Sequence, residues 1–93
     1  MTLLENIYHH LHNNGLVNNR EHFSKQYLGK SKNWYAVQTH YKRDFSTSAT
    51  IECLHSIRTA QVSNEPIYKE QKTTLDTIED LLKQHLNNIL KYL

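Results

Sequence analysis

The sequence predicts an all-α protein, a compact bundle of about five helices ending in a long C-terminal helix. Three observations carry that expectation. Two Gly and one Pro in 93 residues leave too few turn formers for a sheet built of many hairpins. Apolar residues recur at helical spacing along the chain, and no stretch alternates apolar and polar residues as a half-buried strand does. Residues that cap helices stand where the periodic runs begin.

The first helix opens on a Thr-x-x-Glu capping box, Thr2 and Glu5, in which each side chain satisfies a free backbone N–H of the other residue. Leu3, Leu4, Ile7, Tyr8 and Leu11 follow on one face, and Gly15 is a natural stop. Asn18 and Glu21 form a second box-like start. The short helix behind them turns Phe23, Tyr27 and Leu28 inward and ends at Gly29. Ser31 is placed to cap a third helix, with Trp34, Val37 and Tyr41 as its apolar face. Asp44-Phe45-Ser46 breaks that helix, and Ser46 or Thr47 starts a fourth through Ala49, Ile51, Cys53, Leu54, Ile57 and Ala60. After the link at residues 61–66, Pro66 suits the first turn of the last helix.

Composition sets bounds on class. At 38% hydrophobic and 22% charged residues, the chain reads as one folded domain over residues 1–93. A domain this small buries only about 60–65% of its unfolded surface, so every apolar face is needed. The single cysteine, Cys53, forms no intrachain disulfide and belongs to no zinc-type spacing; it reads as a small core residue. Residues 1–15 carry Glu5 and three histidines among their apolar residues, unlike a secretory signal, and no apolar run approaches membrane-spanning length. The expectation is a cytoplasmic protein with no membrane partner. His9, His10 and His12 lack a carboxylate or cysteine at matching spacing, so no metal is expected. His55 and Cys53 diverge by about 200° around a helix and do not pair as a catalytic dyad. No phosphate loop, nucleophile elbow or carboxylate pair is visible, so neither an enzyme nor a cofactor is expected.

Charge is segregated. Residues 20–43 hold Arg20, Lys25, Lys30, Lys32, Lys42 and Arg43 against Glu21 alone, a net +5, while the rest of the chain is net acidic. That pattern suits an anionic partner. It coincides with the stretch "FSKQYLGKSKNWYAV", residues 23–37, which has the parts of a helix-turn-helix: Ser24 as the small contact, Gly29 as the turn and Ser31 as the cap. With Trp34, Val37 and Tyr41 inward, the outward arc of the third helix holds Lys32, Tyr35, Ala36, Thr39 and Arg43, with Lys42 at its edge. On this reading Arg20, Lys25, Lys30, Lys42 and Arg43 contact phosphates of double-stranded DNA. Ser31, Lys32, Asn33, Tyr35 and Thr39 approach base edges.

Residues 23–57 resemble the DNA-binding core of the Cro/Xre phage-repressor class in their small residue, Gly turn, capped second helix and following scaffold helix, "STSATIECLHSI". The interval from Ser24 to Gly29 is one residue longer than is usual in that class. The resemblance implies a helix-turn-helix core at about 19–43, a scaffold helix at about 47–60, and a small bacterial or phage regulator of transcription. The remaining segment, about 66–92, carries a broad stripe of Leu75, Ile78, Leu82, Leu86, Ile89 and Leu93. It either closes the domain's own core or forms a homodimer interface. An alternative for the whole chain is a helical interaction module or inhibitor that sets the same basic, Tyr-rich face on an acidic protein.

Overall fold

The computed structural model describes residues 1–91 and is all-helical, as expected. Among the described residues there are six α-helices, the second running on into a π-helical turn, and no strand. No helix among them is long and apolar enough to cross a membrane.

Helix α1 spans Leu3–Asn13 and begins with the expected reciprocal capping box of Thr2 and Glu5. It ends on Gly15 at φ 74°, where Gly15 N–H donates to the His12 carbonyl and Leu16 N–H to that of Leu11. This left-handed stop satisfies two of the last free carbonyls. Helix α2 spans Arg20–His22 and continues as a π-helical turn over Phe23–Tyr27. Its cap falls one residue later than the Asn18–Glu21 spacing predicts. Asn19 accepts from His22 N–H at 2.8 Å, and His22 Nδ1 accepts from Asn18 N–H at 2.9 Å, so a histidine does the work assigned to Glu21.

Helix α3 spans Trp34–His40 and α4 spans Thr47–Gln61, the latter capped by Ser46 Oγ, which accepts from Ala49 N–H at 3.2 Å. The single helix expected over 66–92 is two helices, α5 at Pro66–Glu70 and α6 at Lys72–Leu90, separated at Gln71. The break precedes Thr73 and Thr74, β-branched residues that favour helix less. It lets Tyr68 pack on the core while Leu75 turns fully inward.

The core is built from one face of each long helix. Leu4, Ile7 and Leu11 of α1, Ala49, Cys53 and Ile57 of α4, and Leu75, Ile78 and Leu82 of α6 have no exposed surface. Burying each large aliphatic side chain contributes about 1.5–3 kcal/mol before conformational entropy is subtracted. Leu75, Ile78 and Leu82 therefore belong to the chain's own interior, which corrects their assignment to a dimer interface. A face consumed by α4 has no surface left for a second copy. Leu86 and Ile89 are half-buried, and Leu93 lies outside the described residues. The solvent edge of α4 and α6 carries an Arg58–Glu79 ion pair at 3.1 Å, whose Arg58 and Gln61 bonds hold the Glu79 carboxyl below its usual range.

Two features of the α3–α4 link place α3. Lys42 ends the helix at φ 55°, with Lys42 N–H donating to the Thr39 carbonyl and Arg43 N–H to that of Gln38. This is the same stop as at Gly15, made by a residue whose Cβ opposes it. Lys42→Gly is expected to raise stability by about 0.5–1 kcal/mol, the relieved strain less the greater freedom of the unfolded glycine. A higher urea midpoint with unchanged slope is the measurement. The second feature is Asp44. Its Oδ1 accepts from Leu4 N–H at 2.8 Å and its Oδ2 from Leu3 N–H at 3.1 Å, so a residue 40 positions away caps α1 beside Thr2.

Candidate nucleic-acid interface

The corner between α2 and α3 is organised by Ser24. Its side chain is fully buried, and its Oγ accepts from Tyr35 N–H at 3.1 Å. Its carbonyl accepts from Lys30 N–H at 2.9 Å. One small residue thus holds both the exit from the turn and the first turn of α3. Gly29 supplies the reversal at φ 63°. The extra residue between Ser24 and Gly29 is absorbed by the π-helical turn, in which Leu28 N–H reaches back five residues to the Phe23 carbonyl at 3.2 Å. Ser31 does not cap α3. The helix starts three residues later, Asn33 occupies the cap position without a side-chain bond, and only the Ser31 carbonyl takes part, accepting from Trp34 N–H.

The rotation of α3 differs from the expected one by about one residue, roughly 100°. Tyr35, assigned to the outer arc and to base edges, is 3% exposed and packs into an aromatic cluster with Tyr8 and Phe23, at ring separations of 4.8 and 5.7 Å. Thr39 is half-buried and its hydroxyl donates to the Tyr35 and Ala36 carbonyls, so it too is turned from the outer face. Conversely, Val37 and Tyr41, expected inside, are 47% and 61% exposed. Trp34 alone of the expected inner set packs on the core, and only partly. The reason is the shape of the receiving site. The gap between Tyr8 and Phe23 takes a flat ring at position 35, and the helix turns to deliver it.

Burial pushes the Tyr35 phenol up to about 12, with the Glu5 charge adding to the shift and Arg20 opposing it. Burial also raises Tyr27, whose hydroxyl donates to the Leu16 carbonyl at 3.3 Å. A phenol whose folded pKa exceeds its unfolded value near 10 contributes stability that is complete below pH 10. That contribution is lost as pH rises through about 12. Urea titrations across this window are expected to show falling stability, with a shallower fall in Tyr35→Phe.

The basic residues divide into two groups. Arg20, Lys32 and Asn33 line one cleft of about 490 Å³ with Tyr8, Asn19, Glu21 and Ala36. Arg20 stands 5.9 Å from the centroid of the Tyr35 ring. At the other end of α3, Lys42 and Arg43 are exposed, and the Arg43 guanidinium lies 4.9 Å from the Tyr41 ring centroid. Lys25 is exposed on the π-helical turn and lines no part of that cleft. Lys30 is half-buried, its Nζ 2.9 Å from Ser48 Oγ and 5.9 Å from the Trp34 ring, so it ties the turn to α4. Among the described residues the one ion pair is Arg58–Glu79, so none of the six cations of residues 20–43 is neutralised by a carboxylate.

The other candidates stay apart. His9, His10 and His12 are exposed on α1, with the His12 ring stacked on Tyr8 at 5.5 Å. Among the described residues no three His, Cys, Asp or Glu converge as a metal site. The Cys53 thiol is fully buried, which raises its pKa far above the usual thiol range, and His55 faces solvent. A larger cleft of about 580 Å³, between His22, Tyr27, His55 and Tyr68, contains no lysine or arginine.

The molecule is thus a small all-α protein that carries an unneutralised basic surface around a short, partly apolar helix. The chain belongs to a family of unknown function, DUF6626, whose model matches residues 4–91. No match was found to a curated protein or to a solved structure.

Proposed function

We propose that the protein binds double-stranded DNA in a sequence-specific manner, with α3 as the helix that enters the major groove, and acts as a small regulator of transcription. The observation that carries this reading is the set of unneutralised cations at both ends of α3: Arg20 and Lys32 at the start, Lys42 and Arg43 at the end. Cations flanking an exposed helix suit the two phosphate rims of a groove. In this reading Arg20, Lys25, Lys42 and Arg43 meet phosphates, Lys30 braces the corner, and Lys32 and Asn33 reach base edges.

The test is fluorescence anisotropy of a labelled random-sequence duplex over a series of salt concentrations. Binding in the micromolar range is expected, with log K falling by about 0.9 per decade of salt for each phosphate contacted. Four contacts imply a slope of roughly −3 to −4. Absence of binding at the lowest salt would sink the proposal. A second reading, an acidic protein as the partner of the same face, is favoured by the exposure of Val37 and Tyr41. It takes over if DNA is not bound.

A further inference from the structure

The solvent face of α3 is Asn33, Ala36, Val37, His40 and Tyr41, residues spaced i, i+3, i+4, i+7 and i+8 and all exposed. Val37 is the anomaly on it. A chain this small places its other mid-helix aliphatics largely inside, yet Val37 is 47% exposed at the centre of a seven-residue helix, beside the exposed methyl of Ala36. The apolar spot is small and ringed by charge, with Lys32 before it and Lys42 and Arg43 after it. A protein-docking helix usually offers a broad apolar stripe. A small apolar centre between two cationic ends instead matches the floor of a major groove, where the one apolar group on any base edge is the C5-methyl of thymine between two phosphate rims.

Resting on the DNA reading above, we infer that Val37, with Ala36 beside it, reads thymine methyl groups, so that the preferred site carries A·T pairs where the centre of α3 meets the groove. Asn33 lies one turn before Val37 on the same face and is the residue type that bonds adenine N6 and N7 together. The pair therefore favours adenine and thymine at neighbouring positions. Val37 is a specificity-determining residue in this account, and the phosphate-contacting cations supply affinity without choosing the sequence.

The experiment selects preferred duplexes from a random pool and then replaces thymine by deoxyuridine in the best of them, one position at a time. That change deletes a methyl group and leaves the hydrogen-bonding edge and the phosphates as they were. The wild-type protein is expected to lose about fourfold in affinity at each methyl read, the equivalent of one buried methylene. In Val37→Ala the thymine-to-uracil ratio falls toward one, with little effect on folding because the side chain is exposed. If thymine and uracil duplexes bind the wild type equally, or the selected sites show no A·T preference, the thymine inference is overturned. The DNA reading then still stands, provided binding remains salt-dependent. If no duplex binds at low salt, both are overturned and the apolar spot belongs to a protein partner.

Discussion

Lys32→Glu combined with Arg43→Glu is expected to weaken binding to double-stranded DNA at least a hundredfold and to flatten its salt dependence by about two units of slope, one for each lost phosphate contact. The pair was chosen because it brackets α3. Lys32 lies in the turn before the helix, in the cleft with Arg20, and Arg43 follows the helix, over the ring of Tyr41. Reversing both replaces attraction with repulsion at both groove rims. The fold is expected to survive, since both residues are exposed and neither side chain makes an ion pair. A stability change within about 0.5 kcal/mol is ordinary for such sites. Lys69→Glu with Lys72→Glu makes the same change in net charge on α5 and α6, and is expected to leave most binding in place. Equal loss in both double mutants would show that overall charge, and not this face, governs binding. Undiminished binding in the first would exclude α3 as the contact surface.

Asp44→Ala is expected to cost about 2–3 kcal/mol, the largest effect of any single exposed or half-buried position in the molecule. The carboxylate accepts three backbone N–H groups: Leu3 and Leu4 at the start of α1, and Phe45 beside it. Helix N-terminal donors without a partner are costly, and bonds to a charged acceptor exceed those to a neutral one. For a domain of this size the loss corresponds to a fall of about 10–20 °C in Tm. Asp44→Asn is the informative companion. Its amide oxygen can still accept from Leu4 and Phe45, so it is expected to recover more than half of the stability. If Asn were as damaging as Ala, the negative charge on α1 would be the main contribution rather than the acceptor geometry. If Ala were neutral, Asp44 would not hold α1 to the α3–α4 link.

Local chemistry was readable directly. The Thr2–Glu5 box, the stop at Gly15, the reversal at Gly29, the Ser46 cap and the Pro66 start depend on residues within a few positions of one another, and each stands where its spacing predicts. The basic segment was equally plain, because net charge is a sum over residue types. The rotation of α3 was not. A seven-residue helix offers barely two turns of periodicity, and Trp34, Tyr35, Val37 and Tyr41 permit more than one apolar face. Choosing among them required the aromatic gap made by Tyr8 and Phe23, which are contributed by α1 and the π-helical turn. That choice moved Tyr35 and Thr39 out of the candidate interface and brought Val37, His40 and Tyr41 into it.

The same division holds for the C-terminal stripe and for Asp44. Leu75, Ile78 and Leu82 form an apolar face that the sequence marks clearly, but whether the covering surface is the chain's own α4 or a second copy is a question of which helices meet. The Asp44 cap joins residues about 40 positions apart, with no local pattern to announce it. The sequence by itself therefore determined the all-helical class, most helix starts and stops, and the location of the positive charge, because these follow from propensity, capping and composition at short range. Tertiary structure alone decided which way α3 faces, what covers α6 and what caps α1, because each depends on the shape of a site assembled from distant segments.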